Sequence, residues 1–360
     1  MTDTIPVILS SDDIYAPYLG VTVKSVIENA DSDNRYEIFI LDGGISVLNQ
    51  KQIQNMSEPN VQIKFIRPET YMQGLDLSAF YVRSHFSLPT YYRLFIPEIF
   101  REYDRVLYLD CDMIVLDDVA KLFRLDMQGK MLAAVKDVGI QKKFLFNDKN
   151  FLHYLRDVLK LSAPSDYLQA GVLVCDIKRL RQFDFVNKCL EKLKEIKTLL
   201  YVDQDIINSV SEGNVHFIGQ KWNFQRQAVA DVFNEKEICK SLPLAAFEEF
   251  TRALAHPKII HYAGEEKPWK YPCHPLFDQW WYYARMTPFY EGIIYDNIMK
   301  NFVAAEKLRE IFNYKKLSLK YLYFNFLEFF TFGKKRRKYK QKRKELKARL
   351  KQVRAFLKGK

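Results

Sequence analysis

The run VLYLDCDMIVL (106–116) sets two carboxylates, Asp110 and Asp112, two residues apart directly after an apolar stretch. If the chain bends after the first, both converge on one cation. Hard oxygen ligands of this kind suit Mg²⁺ or Mn²⁺, and substrate phosphates take the remaining positions. Such a lone pair is more often a polar turn, and Asp117 and Asp118 follow shortly after. The apolar residues on both sides argue against an ordinary exposed turn. Without metal the two carboxylates are expected to repel one another. His261, in KIIHYAGEEKPW (258–269), follows another apolar run. A single histidine at a strand end is usually structural, but joined to Asp110 and Asp112 it completes a site of two carboxylates and one imidazole. Lys267 then offers a second cation to departing phosphates, or else sits in a solvated loop. The chain has 13 glycines but neither GxGxxG nor GxxxxGK[ST], so backbone amides do not cradle a phosphate here and a divalent cation is the natural substitute.

Further polar groups stand in apolar surroundings. Asp203, Gln204 and Asp205 open the helix-like DQDIINSV, where acidic residues either support a helix start or face a sugar. Arg93 lies in the otherwise apolar PTYYRLFIPE, snorkelling to solvent or buried against the aspartates. Four apolar residues followed by DxD also describe phosphatases in which the first aspartate is the nucleophile. That motif usually opens its domain, whereas about a hundred residues precede it here.

Strands must deliver these groups. PVILSS (6–11), YEIFILDGG (36–44), VQIKFIRP (61–68) and RVLYLD (105–110) read as strands. So do MLAAVKDV (131–138), LQAGVLVCDI (168–177), VHFIG (215–219) and KIIHYAG (258–264). Helical spacing is expected over 15–30, 46–57 and 178–198. The alternation predicts right-handed crossovers and a largely parallel sheet. In such sheets ligands lie outside the carboxyl ends of strands, which points to Ser10, Ser11, Asp12 and Asp13 and again to Asp110 and Asp112.

Composition narrows the class. With 48% hydrophobic and 15% aromatic residues among 360, the chain can bury a large core. Five cysteines at 111, 175, 189, 239 and 273, without CxxC, fit a reducing compartment. No secretory signal and no membrane-spanning run is expected. The net charge of +11 is concentrated: residues 334–360 carry 15 basic and one acidic side chain, or +14, leaving 40 basic and 43 acidic, or −3. LKYLYFNFLEFFTF (319–332) precedes that tail. Adjacent aromatic and basic segments fit an anionic membrane surface, each lysine contributing about 1 kcal/mol; nucleic acid, which needs only the charge, is not favoured. The expected organisation is a catalytic domain over 1–275, a helical aromatic region over 276–333 and a polybasic tail over 334–360. The expected location is cytoplasmic, peripheral on the cytoplasmic face of the membrane.

Several motifs in order carry a resemblance over about residues 5–290. They are ILSSDDIYAPYLGVTVKSV, PTYYRLFIPE, VLYLDCDMIV, LQAGVLVCDIKRLR, DQDIIN and HYAGEEKPW. The chain resembles family 8 glycosyltransferases, in particular bacterial galactosyl- and glucosyltransferases that extend lipopolysaccharide or capsule. The resemblance implies an α/β fold of GT-A type, Rossmann-like with a mixed sheet, followed by an α-helical C-terminal extension. It also implies a UDP-galactose or UDP-glucose donor, Mn²⁺, retention of configuration, and a glycan or glycolipid acceptor such as lipopolysaccharide.

By position, Asp110, Asp112 and His261 would hold the metal. Ser10, Asp12 and Tyr15 would contact uridine and ribose, Tyr15 stacking on the base. Arg93 would hold Asp110 and the donor sugar, Gly264 and Lys267 the diphosphate. Asp203 and Gln204 would lie beside the transferring sugar, with Gln169 and Gly171 binding substrate. Two positions depart from the family pattern: Ile14 and Gln169 each replace a usual asparagine. A front-face mechanism supported by Gln204 or a main-chain oxygen, and a covalent intermediate, both remain open. The alternatives are the phosphatase, with Asp110 as nucleophile and Asp112 as acid, and a non-catalytic sugar-nucleotide-binding protein at the membrane.

Overall fold

Runs of Ile, Val and Leu become strands buried on both faces, as they must when helices cover a sheet on each side. A computed structural model of the protein describes residues 4–74, 80, 88–145, 148–196, 198–226, 244–271 and 274–358. Cys239 and Cys273 lie outside these residues; Cys111, Cys175 and Cys189 are free thiols. The chain divides into two units, Met1–Tyr290 and Glu291–Lys360.

In the first unit the strands are β1 (Thr4–Ser11), β2 (Arg35–Asp42), β3 (Val61–Ile66), β4 (Arg105–Leu109), β5 (Met113–Val115), β6 (Leu132–Lys136), β7 (Leu168–Asp176), β8 (Val215–Phe217), β9 (Phe224–Gln225) and β10 (Ile259–His261). Seven form a sheet of order β3-β2-β1-β4-β7-β6-β8. β1 pairs parallel with β2 and β4, but β7 runs antiparallel to both β4 and β6. Six of the seven strands thus run the same way, as the alternation predicts, and the reversed β7 alone makes the sheet mixed. A second, three-stranded sheet has the order β5-β10-β9. β5 and β9 are too short, at three and two residues, to leave a periodic signal in the sequence.

Helices fill both faces. Ala16–Glu28 follows β1, and Tyr108, Leu173 and Ile206 belong to one large buried cluster. Two expectations change in detail. The helix expected over 178–198 is two helices, Ile177–Gln182 and Phe185–Glu195, broken where Asp184 adopts φ +58°. The PTYYRLFIPE segment is a 3₁₀ helix, Leu88–Phe95, running into a short α-helix.

The second unit is a helical hairpin. Helix Tyr290–Phe329 turns at Gly333 (φ +62°), where only glycine is unstrained, into helix Gly333–Lys358. Arg343 joins the two, 2.9 Å from Glu328 and from Asn325. Leu319, Leu322, Tyr323, Phe326, Phe329, Phe330 and Phe332 are all exposed. No helix among the described residues is long and apolar enough to cross a membrane.

Candidate active site

The carboxyl ends of β1, β4 and β6, and the amino end of the antiparallel β7, open onto a cavity of about 680 Å³. Of the thirteen residues expected at the site, twelve line it: Ser10, Asp12, Tyr15, Arg93, Asp110, Asp112, Gln169, Asp203, Gln204, His261, Gly264 and Lys267. Gly171 does not. It forms the wall behind, where its carbonyl accepts from the Asp110 N–H at 2.8 Å. A Cβ there would lie 2.5 Å from His261 Cε1 and 2.7 Å from Asp110 Oδ2, so glycine is required by space.

β4 ends at Leu109 and β5 begins at Met113, so the chain bends through Asp110, Cys111 and Asp112. Helix Ala16–Glu28 fastens that bend. Thr22 Oγ1 lies 2.8 Å from the Cys111 carbonyl and 2.9 Å from that of Met113, and the Val115 N–H donates to Ser25 Oγ at 2.9 Å. β10 pairs with β5, His261 opposite Met113, which carries the imidazole to the same corner.

The two carboxylates do not face one another unpaired, contrary to the expected repulsion. Arg93 Nη2 holds Asp110 Oδ1 at 2.7 Å, and Lys267 Nζ pairs with Asp112 Oδ2. The other oxygen of each is left beside the imidazole: His261 Nε2 lies 3.2 Å from Asp112 Oδ1 and 3.8 Å from Asp110 Oδ2. One ligand atom from each of Asp110, Asp112 and His261 falls within 4.8 Å of the others. Two carboxylate oxygens and an imidazole nitrogen are a donor set that fits Mn²⁺, or Mg²⁺ less well. Burial pushes the Asp112 carboxyl up, but Lys267 and His261 outweigh it and hold it well below the usual range.

Arg93 is buried rather than snorkelling. It donates from Nη1 to the Ala170 carbonyl at 2.7 Å and from Nε to the Thr90 carbonyl at 3.1 Å, and packs 4.4 Å over the Tyr108 ring. Burial opposes its charge; Asp110 and Asp203 more than restore it. Asp203 Oδ2 lies 3.0 Å from Arg93 Nε without accepting its hydrogen, while Oδ1 accepts from Thr90 Oγ1 at 2.9 Å. Burial pushes the Asp203 carboxyl up to about 6 against the pull of Arg93.

Asp203 and Gln204 enter the cavity because the chain turns sharply before them. Val202 has φ +41°, a strained value for a β-branched residue. Asp205 sustains the turn from behind, accepting from the N–H groups of Leu200 (2.9 Å) and Tyr201 (2.6 Å) and from the hydroxyls of Tyr154 and Tyr167 (both 2.6 Å). Gln204 is anchored at both ends. Its Oε1 accepts from the Ala170 N–H at 3.0 Å and its Nε2 donates to Asp137 Oδ2 at 3.1 Å.

At the other end of the cavity Asp12 Oδ1 accepts from the Tyr15 N–H at 3.0 Å. Ser10 Oγ donates to the Pro89 carbonyl at 2.6 Å. The Tyr15 ring stands edge-on to Trp269, on which Tyr18 stacks at 4.0 Å. Ile14 is 81% exposed. Asp13, also flagged by the strand-end rule, instead ties the loop to Ser46 and Asn49 at 2.8 and 2.7 Å. Gly264 adopts φ +84°. Gln169 sends Oε1 back to the Gly171 N–H (2.7 Å) and to Asn223 Nδ2 (2.5 Å), which leaves its Nε2 to meet a ligand.

Asp137 and Asn223 were not expected. Asp137 follows β6 as Asp110 follows β4, so the strand-end rule would have found it. It lines the cavity, and burial raises its carboxyl above the usual range. Asn223, fully buried, sits in QKWNF, which carries no comparable signal.

The sequence matches Glycosyl transferase family 8 over residues 6–273. It is 25% identical over 288 residues to general stress protein A of Bacillus subtilis, covering 78% of this chain and 93% of that one. Lipopolysaccharide 1,2-glucosyltransferase of Escherichia coli is 25% identical over 269 residues, 72% of each chain. Galactosyltransferase LgtC, solved with donor and acceptor sugar analogues, superposes with a TM-score of 0.65 at 26% identity, covering 79% of this chain and 96% of that one.

Proposed function

The chain belongs to glycosyltransferase family 8, and from that premise we propose that it is a retaining, metal-dependent hexosyltransferase. The donor would be UDP-galactose or UDP-glucose, and the acceptor lipopolysaccharide or another cell-surface glycan. The observation that carries this reading is the convergence of Asp110 Oδ2, Asp112 Oδ1 and His261 Nε2 at one end of the cavity, with Asp203 and Gln204 in its wall. A divalent cation held there would supply Lewis-acid neutralisation of the leaving diphosphate.

The chain's own residues do the rest. Lys267, which also lines the cavity, would meet the same phosphates, and Asp12 and Tyr15 would take the ribose and base. Arg93 fixes Asp110 and Asp203 in place. The doubly anchored Gln204 amide is rigid, and its oxygen keeps a second lone pair for positive charge developing on the sugar. The family sets aside the phosphatase reading, and Asp110 Oδ1, held by Arg93 and Tyr108 (3.0 Å), is poorly disposed as a nucleophile. For the second unit, the exposed aromatics and the basic helix support the reading of a peripheral anchor on an anionic membrane at the cytoplasmic face.

The test is UDP release from each donor with and without Mn²⁺, followed by the anomeric configuration of the transferred hexose by NMR. Inversion would sink the retaining assignment, and turnover equal in EDTA would sink the metal.

A further inference from the structure

His261 has two ring nitrogens, and only one faces the carboxylates. Behind the other lies Asn223, whose Oδ1 is 2.9 Å from His261 Nδ1. Which way that amide points can be worked out from an atom with no ambiguity. The Gly171 backbone N–H is a donor and lies 2.7 Å from the Gln169 side chain, so the atom it meets is Oε1. The Asn223 atom 2.5 Å from that same oxygen must in turn be a donor, Nδ2. Oδ1 therefore faces His261 and only accepts, which requires hydrogen on Nδ1. A cation is bound by the neutral imidazole, whose one N–H is then fixed at Nδ1, so the lone pair is left on Nε2; without a cation that nitrogen lies 3.2 Å from Asp112 Oδ1. Asn223 is 0% exposed, so water does not substitute for either contact.

We propose that Asn223 is a positioning residue of the metal centre: oriented by Gln169, it keeps the His261 proton on Nδ1 and presents Nε2 to the cation. Gln169 thus serves two sides, its oxygen building this relay and its NH₂ group facing the cavity. The inference rests on the metal reading above. It differs from that reading in assigning a role to Asn223, which lies behind the cavity wall and touches neither metal nor sugar diphosphate. Partners of this kind typically change metal affinity 10- to 100-fold when removed.

Two measurements test it, neither of them turnover. In metal-free protein labelled with ¹⁵N-histidine, titrated to alkaline pH until the imidazole is neutral, long-range ¹H–¹⁵N spectra report the tautomer, with His261→Ala assigning the signal among the six histidines. The wild type is expected to show Nδ1–H. Free Mn²⁺ measured by EPR gives affinity. Asn223→Leu, of similar volume but without acceptor, is expected to bind Mn²⁺ about 10- to 100-fold more weakly and to lose the Nδ1–H preference. Asn223→Asp presents an oxygen to Nδ1 in either protonation state and is expected to keep the tautomer. Should Asn223→Leu fail to fold, the wild-type tautomer and the Asn223→Asp variant still decide. An Nε2–H tautomer in the wild type, or full Mn²⁺ affinity in folded Asn223→Leu, overturns the proposal. A wild type that binds no Mn²⁺ overturns the metal reading and the proposal with it.

Discussion

Arg93→Met is the substitution whose effect can be worked out furthest. It keeps an unbranched side chain and deletes the guanidinium, which lies over Tyr108, neutralises Asp110 at 2.7 Å and lies 3.0 Å from Asp203. Removing one partner of a buried ion pair costs about 3–5 kcal/mol, because the other charge stays buried alone. Protonation of Asp203 limits the loss, and this gives the effect a pH signature. Its carboxyl is raised in the fold to about 6 from 3.8, so its contribution to stability is full below 3.8 and falls as pH rises through about 6. Arg93 opposes that rise, so without it the falling limb extends to higher pH, each unit adding up to about 1.4 kcal/mol. The gap between wild type and variant should therefore be smaller at pH 5.5, where only the unpaired Asp110 contributes, and reach about 3–5 kcal/mol at pH 8. For a unit of this size that is roughly a 10 °C difference in Tm. Calorimetry in EDTA across that pH range measures it. A gap that is flat with pH, or smaller than about 1 kcal/mol at pH 8, would refute the assignment of Arg93 as the buried counter-ion of both carboxylates.

Asp112→Asn should reduce Mn²⁺-dependent UDP release by more than the roughly 100-fold expected for an outer partner, with circular dichroism unchanged. Asp112→Ala is the poorer probe, since it leaves Lys267 buried beside a void. Gly171→Ala pushes on His261 and Asp110 together; a loss of about 1–3 kcal/mol and weaker Mn²⁺ binding are expected by calorimetry and EPR. Deleting residues 334–360 takes the net charge from +11 to −3, and sedimentation should show loss of most binding to anionic vesicles with UDP-sugar hydrolysis unchanged. Equal vesicle binding by both forms would remove the anchor.

Much of this site was readable because it sits where strands end, and strand ends are visible as apolar runs that stop at polar residues. Asp110, Asp12 and His261 all follow that pattern, and Asp137 follows it too. What was not readable depends on which direction a side chain faces. Asp203 and Asp205 stand two apart in one motif, yet the first faces Arg93 and the second faces Tyr154 and Tyr167. The strained turn at Val202 decides between them, and nothing in the sequence of a valine announces φ +41°. Asn223 is invisible for a related reason: its importance comes from pairings across 54 residues to Gln169 and 38 to His261. Local spacing holds no trace of such contacts.

The charges around the metal position bear on what removing the metal should do. Each carboxylate gives one oxygen to a protein cation and leaves the other facing His261 Nε2. A cation entering there has no ion pair to break and does not rescue an unpaired charge. Structural metal sites behave otherwise, since their ligands lack protein counter-ions and the fold fails on chelation. Here EDTA should leave the Tm of the metal-free protein where the fold alone sets it. Added Mn²⁺ should raise stability only by mass action, about 2.7 kcal/mol at a hundred times its Kd, with Tm rising continuously with concentration. Cooperative unfolding on chelation at room temperature would show instead that Arg93 and Lys267 do not neutralise the pair in solution.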